Sequence, residues 1–315
     1  MKVAILESLG ISEEELLSLE KPFEEKGVEF AHYTKSLDEN VLLSELDGAD
    51  VAVIANMPFP SSVVSKANGL KFIDVAFTGT DHVGLDAARE RGIAVSNASG
   101  YSNEAVSELV LGMVLSFMRN ISKVEERCRE GKDKTGLVGS EVKGKTVGIV
   151  GLGKIGRRTA EIFNVLGANI LASSRSRHMD APSYVNEVEL DELLESSDIV
   201  VLHCPLTPET RGLIGKRELK MMKKSAILVN VARWPVVDGK ALVEALENGE
   251  IAGALVDVFD KEPPLALDTP LLSAPNTLLT PHVAFATKES MSLRAEIVFD
   301  NLRAWMEGRQ INTII

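Results

Sequence analysis

Short apolar runs of strand length alternate with amphipathic, helix-like runs from one end of this chain to the other. That alternation is the signature of parallel α/β architecture, because parallel neighbours need a crossover that a helix supplies. In the first third the strand candidates are Val3–Leu6, Glu29–His32, Val51–Ile54, Phe72–Ala76 and Ile93–Ser96. Helix candidates lie between them, such as Ser12–Lys26, where Ser12 reads as an N-cap with Glu15 three residues on. The turn Asn97-Ala98-Ser99-Gly100 leads into a longer helical segment, Ser102–Arg119. Residues Gly131–Gly144, rich in Gly, Lys and Ser, read as a loop between two units. A second series then gives strands at Thr146–Val150, Asn169–Ala172, Ile199–His203, Ala226–Asn230, Ala252–Asp257 and Thr277–Thr280. The last helix, Lys288–Gly308, is long enough to return to the first unit.

A length of 315 residues suits two domains of ordinary size. The boundaries read from the pattern are residues 1–98 with 289–315 for one and 99–288 for the other. The 45% hydrophobic and 25% charged fractions are those of a globular chain. A formal net charge of −12 argues against nucleic acid as a partner, since phosphate binding needs concentrated Lys and Arg. Cys128 and Cys204 are too few for a disulfide framework, and neither they nor other residues show metal-ligand spacing. The N-terminus carries no signal-peptide pattern, and the most apolar helical stretch, Leu109 to Met118, is half the roughly 20 residues of a membrane span. The default expectation is a cytoplasmic protein with no membrane partner.

The second series opens on a strand followed by Gly151-Leu152-Gly153-Lys154-Ile155-Gly156 and a helix. Gly151 permits a tight turn, Gly153 lets backbone approach a pyrophosphate, and Gly156 allows close helix–strand contact. The helix start offers N–H groups and a positive dipole end to an anion. A GxGxxG run alone is weak; here the flanking strand, helix and second strand meet the contextual requirement. Six strands with intervening helices also make a complete dinucleotide-binding sheet. At the end of the second strand an acidic residue would hold the ribose hydroxyls of NAD. The chain instead reads Ser173-Ser174-Arg175-Ser176-Arg177-His178. With no carboxylate to repel a 2′-phosphate and two arginines to neutralise one, NADP is favoured over NAD. A solvated basic loop is the competing reading.

Three segments follow successive strands of this unit, where a parallel sheet forms its ligand crevice. They contain Arg233, Glu262 and His282. Arginine can grip a carboxylate in a planar fork. Histidine can give a proton to a carbonyl oxygen and take it back in reverse. A neighbouring carboxylate would favour the imidazolium and fix its tautomer. Together the three fit a small 2-oxo/2-hydroxy acid. Singly, each has a dull alternative as a surface ion pair, loop polarity or a satisfied buried histidine.

The stretches GLGKIGR at Gly151, HCPLTPETRGLIG at His203, NVARWPVVD at Asn230, DVFDKEPP at Asp257 and TPHVAF at Thr280 resemble the D-isomer-specific 2-hydroxyacid dehydrogenases, in family order and spacing. The resemblance covers essentially the whole chain, and glyoxylate/hydroxypyruvate reductases are its nearest flavour. It implies two doubly wound parallel-sheet domains, a Rossmann dinucleotide-binding domain and a flavodoxin-like substrate domain. It implies a catalytic set of Arg233 on substrate, His282 as acid/base and Glu262 orienting His282. Asp257 would contact the nicotinamide carboxamide, and His203, Cys204, Pro205, Thr210, Val231, Ala232 and Ala284 would line the cofactor cleft. In the first domain Phe77, Thr78 and Gly79 match a stretch whose backbone N–H groups meet the substrate carboxylate, and Asn56-Met57-Pro58-Phe59 resembles a pocket-lining loop. The helix within 102–119 matches one that forms a homodimer interface.

Two departures stand out. Trp234 occupies the place of a usual glycine after the arginine, and the tryptophan often seen before the dinucleotide unit is missing from 132–140. The expected function is hydride transfer between a nicotinamide cofactor and a small 2-oxo acid such as glyoxylate or hydroxypyruvate. A cofactor-sensing interaction protein, corepressor-like, is the alternative on the same scaffold. A formate-type oxidation is weakened, because that branch carries an amide where Glu262 stands.

Overall fold

The computed structural model describes residues 1–261 and 264–315, which fall into two compact units, Met1–Ser102 with Ala286–Ile315 and Asn103–Phe285. Chain order in the first unit is β1 (Lys2–Ile5), α1 (Glu13–Glu24), β2 (Glu29–His32), α2 (Glu39–Glu45), β3 (Val51–Ile54), α3 (Ser61–Lys66), β4 (Phe72–Val75), α4 (Leu85–Glu90) and β5 (Ala94–Asn97). Each strand lies within one residue of its sequence-derived bounds. The order across the sheet is β2-β1-β3-β4-β5, all parallel, which is the flavodoxin-like arrangement. Strands β3 and β4 are buried throughout, as expected of a sheet covered on both faces. Ser12 caps α1 by accepting from the Glu15 N–H at 3.2 Å.

The second unit runs α5 (Asn103–Met118), α6 (Ile121–Arg129), β6 (Thr146–Val150), α7 (Lys154–Val165), β7 (Asn169–Ser173), β8 (Val185–Glu187), α8 (Leu190–Ser196), β9 (Ile199–Leu202), α9 (Lys216–Met221), β10 (Ile227–Asn230), α10 (Gly239–Glu247), β11 (Gly253–Val256) and β12 (Thr277–Leu279). Its seven strands order as β12-β11-β10-β9-β6-β7-β8, again parallel. This is a Rossmann sheet extended by one strand beyond the six read from the sequence. The additional strand, β8, is three half-exposed or exposed residues, Val-Asn-Glu, with no apolar run to betray it. Helix α6 likewise escaped the sequence reading, because none of its residues is buried and it has no core-facing stripe.

Helix α11 (Lys288–Met306) belongs to the first unit. Ala295, Val298, Phe299 and Leu302 pack it onto Val3, Val51 and Phe72. A polar chain fixes its register: Asn301 Nδ2 donates to buried Asp74 at 2.9 Å and to the Asn97 carbonyl at 3.1 Å, while Asn312 donates to Asn301 Oδ1 at 2.8 Å. The C-terminal residues then run along β5, with Ser96 bridged antiparallel to Thr313, so the exposed strand edge is covered.

Candidate active site

The glycine turn of the second unit is built by contacts that exclude a side chain. Gly151 sits at φ +99°, and a Cβ there would lie 2.7 Å from the Cys204 amide nitrogen. At Gly156 a Cβ would meet the Gly151 carbonyl oxygen at 2.1 Å, so the first turn of α7 rests on the loop itself. Gly153 is different, since a Cβ there would meet nothing within 4 Å. It caps α7 with extended backbone and no side-chain hydrogen bond. The helix start is therefore left with amides and a positive dipole end for an anion, and an open approach to them. A pyrophosphate fits this cradle.

Around the turn, Leu152 is buried and its N–H donates to the Ser174 hydroxyl at 2.9 Å, while the Gly151 N–H donates to the Ser173 carbonyl at 2.8 Å. The end of β7 is thus tied to the loop it would serve. Arg175 and Arg177 are exposed. Of the acidic groups nearby, Asp180 is held by Arg157 at 2.7 Å, Glu187 accepts from the His178 N–H at 3.1 and 3.2 Å, and Glu209, held mainly by its hydrogen bond with Thr207, feels the Arg175 charge. Ile155 accepts from the Ser107 hydroxyl at 3.4 Å through its carbonyl, and Lys154 opens the helix.

His203 follows β9. Its Nε2 lies 2.9 Å from the Thr159 hydroxyl, which in turn meets Ser107 at 3.0 Å, joining α7 and α5 beneath the turn. Burial pushes the His203 imidazole down to about 3, so it is a neutral hydrogen-bond partner and not a proton donor near pH 7. Burial pushes the Cys204 thiol up to about 11, which leaves it unreactive. Thr210 spends its hydroxyl locally, donating to the Pro205 carbonyl at 2.6 Å and accepting from the Thr207 N–H at 2.8 Å.

Beyond β10, buried Asn230 brackets the next loop: its Oδ1 accepts from the Ala232 N–H at 3.2 Å and its Nδ2 donates to the Arg233 carbonyl at 3.1 Å. Val231 is buried, and partly buried Arg233 donates to the Ala232 carbonyl at 2.9 Å. Trp234 opens a single 3-10 turn, Trp234–Val236, and is not among the residues at positive φ. The backbone here is ordinary, so a tryptophan stands where a glycine was the expectation. Its ring lies against Gly239, where a Cβ would sit 2.3 Å away, and stacks on Phe259 at 6.4 Å.

The next loop is the most tightly specified. Asp257, fully buried after β11, accepts from the Thr280 hydroxyl at 2.6 Å and the Val283 N–H at 2.9 Å through Oδ1. Its Oδ2 accepts from the Ala284 N–H at 2.9 Å, and its carbonyl accepts from the His282 N–H at 2.7 Å. Held between these bonds, His282 has φ +56°, a left-handed backbone that costs a non-glycine residue about 1–2 kcal/mol. Burial raises the Asp257 pKa, and the bonds from Thr280, Val283 and Ala284 work against that rise. Resemblance placed Asp257 against a nicotinamide; here its hydrogen bonds run to residues 280–284. His282 faces Phe285 edge-on with ring centres 5.4 Å apart. Glu262 lies outside the described residues.

In the first unit, Phe77 is buried after β4, and the Thr78 carbonyl accepts from Asn97 at 2.7 Å. The Thr78 hydroxyl is buried with no hydrogen-bond partner, and Gly79 follows it. Sequence reasoning missed Glu7, which is buried at the end of β1. Its Oε2 accepts from the Ala55 and Met57 N–H groups at 2.7 and 2.9 Å, shaping the 55–59 loop. The available signal was its position one strand-end along the same ligand-binding edge.

Comparison with known proteins adds four findings. The family described as D-isomer specific 2-hydroxyacid dehydrogenase, NAD binding domain, matches residues 111–284. A glyoxylate reductase of Thermofilum pendens is 42% identical over 256 residues, covering 79% of this chain and 75% of its own. A hydroxypyruvate reductase of Blautia hydrogenotrophica is 34% identical over 294 residues, covering 89% of each. Among solved structures, a glyoxylate reductase from Paecilomyes thermophila superposes with a TM-score of 0.89 at 28% identity, covering 100% of this chain and 98% of its own.

Proposed function

This chain belongs to the D-isomer specific 2-hydroxyacid dehydrogenases, and within that family we propose that it reduces a short 2-oxo acid such as glyoxylate or hydroxypyruvate, with NADPH preferred. The observation that carries the reading is the Asp257 clamp, which holds His282 in a left-handed backbone on the same sheet edge as the glycine turn. Strain of that kind persists where surrounding bonds over-determine it, and it gathers at reactive positions.

When bound, a reduced nicotinamide supplies hydride to the carbonyl carbon. Gly151 to Gly156 and the start of α7 hold the pyrophosphate, with residues 203–205, Thr210, Val231, Ala232 and Ala284 lining the cleft. Ser173 and Ser174 approach the ribose, and Arg175 pairs with its 2′-phosphate. Arg233 grips the substrate carboxylate, which the Thr78 and Gly79 amides also meet, with Phe77 behind them. His282 gives its proton to the carbonyl oxygen, and Glu262 orients that imidazole. Helix α5 carries only Glu104 and Glu108 as charged residues, and its Leu109, Leu111, Leu115 and Phe117 are only partly buried, which supports a homodimer through this helix.

The test is a panel of 2-oxo acids with NADPH and NADH, followed by the absorbance of the reduced cofactor. Turnover of glyoxylate or hydroxypyruvate, with kcat/KM higher for NADPH, is the outcome expected. Tight cofactor binding without turnover of any acid would favour the sensor alternative instead, and a clear NADH preference would end the NADP assignment.

A further inference from the structure

The ligand-binding edge of the first unit holds a buried cation that the reaction described above does not use. Arg294, on α11, is 4% exposed. Its Nη2 donates to the carbonyl of Leu9, with the Ser8 carbonyl 3.5 Å away, and its guanidinium carbon is 5.9 Å from the centre of the Tyr101 ring. The chain makes room for it: Gly10 has φ +74°, and a Cβ there would lie 3.2 Å from Nη2. Arg294 Nε is buried with no hydrogen-bond partner.

No described carboxylate forms an ion pair with this guanidinium. Glu7 acts on it only at a distance, being engaged by two backbone amides and by Lys35 at 3.3 Å. Lys35 also reaches the Asn56 side chain at 3.4 Å, so two cations here face one carboxylate. A desolvated charge left without a counter-ion is expensive, and an unmet donor adds to the cost. Burial accordingly lowers the Arg294 pKa, against partial support from Tyr101 and Glu7. Holding the Ser8 and Leu9 carbonyls alone would need only neutral donors.

Geometry suggests what completes the site. The Tyr101 ring lies 6.1 Å from the Phe77 ring, and Phe77 immediately precedes the Thr78–Gly79 amides. Arg294 therefore lies no more than about 12 Å from the Phe77 ring, which adjoins the proposed seat of the substrate carboxylate. A five-carbon dicarboxylic 2-oxo acid spans about 5 Å. Adding a hydrogen bond of about 3 Å at each end gives a reach of about 11 Å, of the order of that upper bound.

We propose that Arg294 is a specificity-determining residue that receives a second anionic group, carboxylate or phosphate, at the far end of the 2-oxo acid. This rests on the reading that Thr78 and Gly79 meet the first carboxylate. The experiment compares kcat/KM of wild type, Arg294→Met and Arg294→Lys on glyoxylate, 2-oxopentanoate, 2-oxoglutarate and 3-phosphohydroxypyruvate, with melting temperature followed for each. Wild type should favour at least one of the two anionic acids over 2-oxopentanoate by about tenfold or more, the carboxylate and phosphate arms showing which anion is taken. Arg294→Met should cut that ratio by about ten- to a hundredfold, mostly through KM, and Arg294→Lys should keep part of it. Equal losses on all four acids would make Arg294 a strut for the 8–10 loop and overturn the proposal, as would an unchanged ratio. If Arg294→Met does not fold, the Lys variant decides by the same ratio. Absence of any wild-type turnover, glyoxylate included, would instead bring down the dehydrogenase reading on which the proposal stands.

Discussion

The proposed cofactor choice turns on Arg175. It is exposed at the end of β7; Asp180 is taken by Arg157 and Glu187 by the His178 N–H, while Glu209, held mainly by Thr207, also feels the Arg175 charge. A charge-assisted bond to a 2′-phosphate is worth about 1.5–3 kcal/mol. Arg175→Ala should therefore lower kcat/KM for NADPH by about tenfold or more and leave that for NADH nearly as it was, in steady-state assays of both cofactors. An equal effect on the two would remove Arg175 from phosphate recognition. Cys204 carries a prediction of the opposite kind. With its thiol pushed up to about 11, it should resist alkylation at pH 8 in the folded chain while exposed Cys128 reacts, as mass spectrometry of modified peptides would read.

At the scale of elements, Asp74 ties β4 to α11 and is fully buried, with one carboxyl oxygen unpartnered. Burial holds its pKa well above the ordinary 3.8. The folded chain then keeps a proton that the unfolded chain gives up, so the stabilising contribution is complete below about pH 3.8 and is lost as pH rises through the folded value. Asp74→Asn mimics the protonated acid, and it should flatten the fall in melting temperature expected of wild type above about pH 4. Matching slopes for the two proteins would show that Asp74 ionises freely. The same scale shows where sequence reading works. Strands β3 and β6 were legible to the residue because each is largely a run of β-branched or apolar side chains between turn signals. Short, half-exposed β8 and polar α6 carry no such contrast. The glycine turn was legible because its steric demands are local. Glu7, Arg294 and the Asp257 clamp were not, because buried polar partners are assembled from distant segments and no periodicity marks them.

For the whole molecule, the question is how many chains act together. Helix α5 leaves Leu109, Leu111, Leu115 and Phe117 only partly covered within its own unit, which is the basis of the proposed homodimer. Gly112, exposed on that helix with nothing within 4 Å of where a Cβ would stand, offers a clean probe. Gly112→Arg should raise monomer helix stability by roughly 1 kcal/mol through propensity while obstructing a partner. Light scattering should then report a dimer of 34.1 kDa chains for wild type and a monomer for the variant. A wild-type monomer would rule the dimer out.

The most direct measurement is made on His282→Ala, by cofactor titration and by the rate of NADPH oxidation with glyoxylate. The backbone clamp on residues 280–284 does not use the imidazole, so cofactor affinity should stay within a few-fold of wild type. The rate should fall by about 10²–10⁴, the worth of general acid catalysis. A variant that binds cofactor and reduces glyoxylate at the wild-type rate would contradict the assignment of His282 as the proton donor.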